Sequence, residues 1–205
     1  MGDGTLTRAE AVADAATGDL WLFRGRSLAD VAIRTVTNSP VNHVGMVIAL
    51  EDLPPLLWHA ELGRSLPDVW TGKRQRGVQL HRLADAVATW SDRYGQRAWV
   101  RRLDGRLQRH HEDRLMEAID RLDGAAFPTP PGLARRWLEG RVRRRPGSLE
   151  TLYCAELVAH TYQHMGLLPG GRPPGWYDPG RFWSGDRTAL VPPFALGGEI
   201  AVRAA

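Results

Sequence analysis

The sequence predicts an α+β protein with a central antiparallel sheet and packed helices. Short β-branched runs recur between turn-forming residues, whereas two longer segments repeat apolar residues at helical spacing. Strands cluster in the first half and the longest helices follow them, the segregation expected of an α+β fold.

After a polar start, Gly18–Phe23 (GDLWLF) reads as a strand opened by a Gly-Asp turn. Ser27–Thr37 follows as a helix, with Leu28, Val31, Ala32 and Thr35 at helical spacing and Ser27 as N-cap. It ends before Pro40, because the residue preceding a proline is pushed out of the α region. His43–Leu50 is rich in β-branched residues and reads as a buried strand, and Leu56–Leu62 as its neighbour across a turn at Glu51–Pro55. Gly77–Leu83 and Ala98–Leu103 supply two more strands. Arg106–Gly124 is an amphipathic helix with Leu107, Leu115, Ile119 and Leu122 as its apolar stripe. Leu149–Gly166 is a second helix, Pro173–Asp186 is irregular and aromatic, and Gly198–Ala204 adds an edge strand.

The 205 residues fit one domain, 1–205, with a basic insertion around 128–148. Composition is ordinary for a globular chain, 43% hydrophobic and 24% charged. Between Arg135 and Arg145 six arginines face one glutamate, a local charge of +5 that exceeds the +4 of the whole chain. Such a run is read first as a solvated face, and second as a patch for an anionic membrane surface. Because the charge is local, no nucleic-acid partner is expected. No secretory signal or membrane-spanning stretch is visible, so the expected location is cytoplasmic. With one cysteine, an intrachain disulfide and a cysteine-rich metal cluster are both excluded.

That cysteine, Cys154, falls near the expected helix start, with Thr151 as N-cap. Helix N-termini favour a thiolate, although a lone cysteine is on composition alone a small buried hydrophobe. Of the seven histidines, His110 and His111 fall on a polar helix face. His160 and His164 lie one turn apart without a third ligand, and His81 has no evident partner. His43 and His59 differ, since both sit in apolar strands at positions of one parity and so on one sheet face. A tight hairpin centred on Glu51 places them opposite each other.

The segments GDLWLF, NHVGMVIAL, WHAELG, GVQL, AWVRRL and LYCAELVAHTY, in this order over roughly residues 18 to 165, resemble the circularly permuted NlpC-type papain-like cysteine hydrolases. That group takes in YiiX-like proteins and is related to the lecithin:retinol acyltransferase family. The resemblance implies Cys154 as nucleophile, His43 as base and His59 as the third, orienting member, with Glu61 as the alternative third member. Tyr153 becomes a cleft-lining residue. Phe127 stands where the family often has tyrosine. The implied activity is hydrolysis of an amide bond, as an amidase or peptidase, through a thioester. The alternatives are a lipid or thioester acylhydrolase or acyltransferase at the same site, and an inactive binding module. Substrates are then peptides or amidated or acylated small molecules and lipids, and no metal or cofactor is expected.

Overall fold

In the computed structural model of the chain, residues 4–26, 30–31, 34–35, 38–61, 65–124, 149–183 and 188–203 are described, without the side chains of 149–153. Seven strands form one sheet. In chain order they are β1 (Thr5–Thr7), β2 (Leu20–Arg24), β3 (His43–Ile48), β4 (Leu56–Glu61), β5 (Gly77–Arg82), β6 (Arg97–Arg101) and β9 (Ile200–Arg203). Their spatial order is β1-β9-β6-β2-β3-β4-β5, and a short ribbon of β7 (Leu103–Asp104) with β8 (Ala195–Leu196) stands apart. All neighbours in the large sheet are antiparallel except β1 and β9. The expected α+β architecture with a central antiparallel sheet is therefore present.

Alternation along each strand divides the core in two. Leu20, Leu22, Val44, Met46, Ile48, Trp58, Val78 and Leu80 point to one face and pack with helices α3 (Arg109–Leu122) and α4 (Leu149–Met165). Trp21, Phe23, Val47, Leu57, Ala98 and Val100 point to the other, beneath α1 (Arg8–Ala13) and α2 (Leu83–Ala88). A π-helical turn, Thr89–Arg93, continues α2 and carries Trp90 into this second layer. Among the described residues no helix is long and apolar enough to cross a membrane.

The Gly-Asp turn before β2 is held from three sides. Gly18 has φ of +92°, and a Cβ there would meet Leu103 Cδ2 at 2.5 Å. The Asp19 carboxylate accepts from the Leu103 N–H at 2.9 Å and from Arg102 Nη1 at 2.6 Å. Tyr162 of α4 donates its hydroxyl hydrogen to the Gly18 carbonyl, tying the helix to the sheet edge of this turn. On β4, Trp58 Nε1 donates to Thr161 Oγ1 of the same helix at 3.1 Å.

The structure departs from the sequence expectations at both ends of the chain. Thr5–Thr7 is a strand and Arg8–Ala13 a helix, opened by a reciprocal cap in which Thr7 and Glu10 bond each other's backbone N–H groups. Helix α4 begins at Leu149, so Thr151 is not its N-cap and Cys154 lies in the second turn. At that depth its backbone N–H belongs to the intrahelical ladder rather than to the open helix end. The basic run Arg135–Arg145 and Phe127 lie outside the described residues, as does most of the segment expected as the helix Ser27–Thr37.

Gly45 of β3 is where close approach is required. A Cβ there would lie 2.8 Å from Leu57 Cδ1 and 3.2 Å from His59 Cβ. We expect Gly45→Ala to cost about 1–3 kcal/mol in urea unfolding, the usual range for overpacking. Gly170→Ala, which meets open space, is expected to be neutral within about 0.5 kcal/mol.

Candidate active site: a chain of three histidines

Strand pairing brings histidines from three successive strands onto one face. Met46 pairs with Trp58 and Val47 with Leu57, so His59 lies across from Gly45 rather than directly opposite His43. The expected shared face is present, but the register is offset by two residues. The offset, with glycine between, lets the rings meet diagonally. Across β4 and β5, His59 pairs with Gln79 and Leu57 with His81, which puts His81 on the same face, one step further along.

The result is a continuous chain. His43 Nε2 lies 3.2 Å from His59 Nδ1, and His59 Nε2 lies 3.0 Å from His81 Nδ1. Trp90 covers it edge-on, with ring centroids 5.1 Å from His43 and 5.0 Å from His59. Phe23 closes the side at 6.0 Å from His43 and 4.7 Å from Trp90. All three are buried; His59 is fully so and His81 nearly so, whereas His43, at 8% exposure, is the least buried of the three. The loop entering β3 is fixed just before it: Asn42 Oδ1 accepts from the Gly25 N–H at 2.7 Å, and its amide donates to Asp30 at 3.0 Å.

Burial holds all three imidazoles neutral. It depresses His43 and His81 to about 4 and His59 well below its ordinary value. At His43 and His59 the neighbouring imidazoles add to this, and at His81 Asp68 opposes it. A neutral imidazole has one N–H and one lone pair, so the chain must be polarised in one direction. His81 Nε2 is buried and makes no hydrogen bond among the described residues. A base at His43 requires the polarity in which every proton sits on Nε2, and we adopt that polarity. His81 Nδ1 then accepts from His59 Nε2–H, and His59 Nδ1 accepts from His43 Nε2–H. This leaves His43 Nδ1 as the bare lone pair at the least buried end of the chain.

Glu61 does not take part in this chain. It accepts from Ser65 Oγ at 2.8 Å, Ser65 in turn accepts from Trp90 Nε1 at 3.3 Å, and burial raises the Glu61 pKa. Of the two candidates for the third position, His59 is the one bonded to His43. Nitrogens of His59 and His81 and an oxygen of Glu61 also lie within 4.8 Å of one another, donors of the kind that bind divalent cations.

Cys154 is fully buried in the other layer, among the residues between α4 and the sheet. Tyr162 anchors the far half of α4 at Gly18, next to the Ile48 end of β3. Gly175 lies against Glu156, and Gly180 packs on Ser39 at the approach to β3. The Cys154 half of α4 is thus directed to the His43 end of β3, with thiol and imidazole on opposite faces of the sheet. Tyr153 belongs to α4, but its side chain lies outside the described residues.

Sequence reasoning missed His81 and Trp90. His81 shares the parity of its partners, a signal open to reading, but its alignment depends on the β4–β5 register. Trp90 follows from a π-turn that apolar periodicity does not encode.

Neither a protein-family model nor a curated protein matches the sequence. Among solved structures, the fold is similar to a crystal structure described as the metalloprotein YiiX from Escherichia coli O157:H7, DUF1105, with a TM-score of 0.49 and 22% identity. The alignment covers 74% of this chain and 66% of that one, just under two thirds of its length.

The neutral histidines set a pH dependence. In the unfolded chain each titrates near 6.5, so between there and about 4 the unfolded state binds protons that the folded state does not. Stability is therefore complete above pH 6.5 and falls as the pH drops toward 4. We expect urea midpoints to decline across this window, and less steeply in His81→Asn. A flat profile would contradict the neutral chain.

Proposed function

We propose that the protein is a cysteine hydrolase of the permuted NlpC-type papain-like class, with Cys154 as nucleophile, His43 as base and His59 as the residue that holds His43. The observation that carries this reading is the His43–His59 hydrogen bond beneath Trp90. It gives a candidate base whose partner bond is shielded from water, at the least buried end of the histidine chain. The sequence resemblance supplies the nucleophile, and the course of α4 brings the half that holds Cys154 toward the same end of β3.

In this reading the thiol and the imidazole, held on opposite faces of the sheet in the structure, have to come together at the His43 end of β3 for the reaction to run. His43 Nδ1 takes the thiol proton, and the sulfur attacks the carbonyl carbon of the substrate. The imidazolium then protonates the leaving amine as the C–N bond breaks, giving a thioester on Cys154. Water, deprotonated by the same His43 nitrogen, hydrolyses the thioester and restores the thiol. His59 moves no proton to substrate. Its Nδ1 accepts from His43 Nε2–H throughout and stabilises the imidazolium. The Cys154 N–H is engaged within α4, so the oxyanion must draw on other donors.

The test is intact-mass labelling with amide- and ester-based acyl probes. Wild type is expected to gain one acyl group, and Cys154→Ala none. His43→Ala should lower the labelling rate by about 100-fold or more, and His59→Ala by a smaller factor. Preference for ester over amide probes would assign the site to lipid or thioester substrates. Absence of labelling by either class, or equal labelling of Cys154→Ala, would contradict the hydrolase reading and leave a binding module of this fold.

A further inference from the structure

The face that carries the histidine chain also holds a buried side-chain amide. Gln79 of β5 pairs directly across from His59 and has the parity of His81, so its side chain stands on their face. It is fully buried, and among the described residues neither its Oε1 nor its Nε2 has a hydrogen-bond partner. A buried amide left unpaired is costly, and native proteins rarely keep one unless water or an ion completes it. His81 Nε2, two residues along the same strand, is likewise buried and without a partner among those residues.

Three metal-binding side chains surround this amide. His59 lies across the ladder from Gln79, His81 two residues along β5, and Glu61 two residues along β4 opposite Gly77, which brings no side chain. A nitrogen of each histidine and an oxygen of Glu61 lie within 4.8 Å of one another. The partners that steady such ligands are present as well. His59 Nδ1 faces His43 Nε2 at 3.2 Å, which turns His59 Nε2 toward His81 and the cluster. Glu61 accepts from Ser65 Oγ at 2.8 Å, and each carboxylate oxygen has a second lone pair. His81 also lines a cleft of about 380 Å³, together with Asp68, Asp85 and Arg82 among the described residues, and so stands between the cluster and solvent.

We propose that His59, Glu61 and His81 bind a divalent transition-metal ion of the zinc class, with Gln79 as the polar group that completes the site. Two imidazoles and a carboxylate suit zinc, or cobalt in its place, and not the all-oxygen preference of magnesium and calcium. The ion, with a bound water, gives the Gln79 amide the partners that the chain does not. Binding rests on this geometry alone, whereas its consequence rests on the hydrolase reading. An ion on His59 Nε2 moves the proton of that ring to Nδ1, which then donates to His43 Nε2. His43 accepts there and carries its own proton on Nδ1. Each ring keeps one proton, and only its position changes. His43 Nδ1 is then an N–H and not a base, so the ion switches acyl transfer off.

The experiment strips the full chain with chelator and titrates zinc, cobalt and magnesium separately against a chromophoric competitor, with native mass spectrometry for the stoichiometry. The expected result is one zinc ion per chain, d–d absorption from bound cobalt, and no uptake of magnesium. Glu61→Gln and His81→Asn should each weaken zinc binding by about 100-fold or more, and Gln79→Leu by about tenfold. Gln79→Leu fills similar space without unpaired polar atoms, so it keeps the test open if a ligand variant fails to fold. Removing the other histidine pair, His160→Ala with His164→Ala, should leave zinc binding as in wild type, and so should Cys154→Ala. No bound ion in wild type, or an affinity unchanged in the Glu61, His81 and Gln79 variants, overturns the proposal. Loss of the ion in the His160 and His164 double variant or in Cys154→Ala does the same. In the zinc-loaded protein, nitrogen NMR should find the His43 proton on Nδ1, and acyl labelling should fall by about 100-fold or more. Labelling undiminished by a bound ion overturns the switch. Zinc binding in a chain that acyl probes never label, loaded or stripped, would sink the hydrolase reading alone. Labelling of a chain that binds no zinc would sink the metal site alone.

Discussion

Three imidazoles buried side by side can be satisfied only if their protons all point the same way. That constraint organises one face of this sheet. Each ring must present a lone pair to one neighbour and an N–H to the other, and no water competes at His59, which is fully buried. The distances of 3.2 Å and 3.0 Å leave room for one proton in each gap. Gly45 allows the diagonal approach, Trp90 roofs it, and Asn42 fixes the strand entry. The tautomer of His81 is thereby coupled to that of His43, two rings away.

The sheet itself is the second constraint. Strand alternation sends Val44, Met46 and Trp58 toward α4 and sends His43, His59 and His81 away from it. The greasy layer and the polar chain are thus kept apart by a single thickness of backbone. Thr161 and Tyr162 seat the far half of α4, while Gly175 and Gly180 hold the segment that bridges from Glu156 to Ser39. Chemistry that needs both faces has to occur where the strand starts.

Much of this was legible in the sequence, because a period of two survives any uncertainty in register. His43 and His59 share a parity, and GDLWLF and HVGMVI are apolar enough to be central strands. What failed was anything that depended on pairing across a long connection. His81 has the right parity, but fifteen residues separate β4 from β5, and no local rule aligns them. Trp90 was hidden by a π-turn. Thr151 looked like a cap because its side chain suits one, yet the helix runs two residues further back. The Thr7–Glu10 capping box is itself a local signal, set within an otherwise polar start.

The central claim is the direction of the histidine chain, because a base at His43 requires a bare Nδ1. Nitrogen NMR of histidine-labelled protein near pH 7 distinguishes protonated from bare ring nitrogens at each site. The account predicts neutral rings at all three positions, each with its proton on Nε2 and a bare Nδ1. Protons on Nδ1 throughout, or a charged imidazolium within the chain, would contradict it.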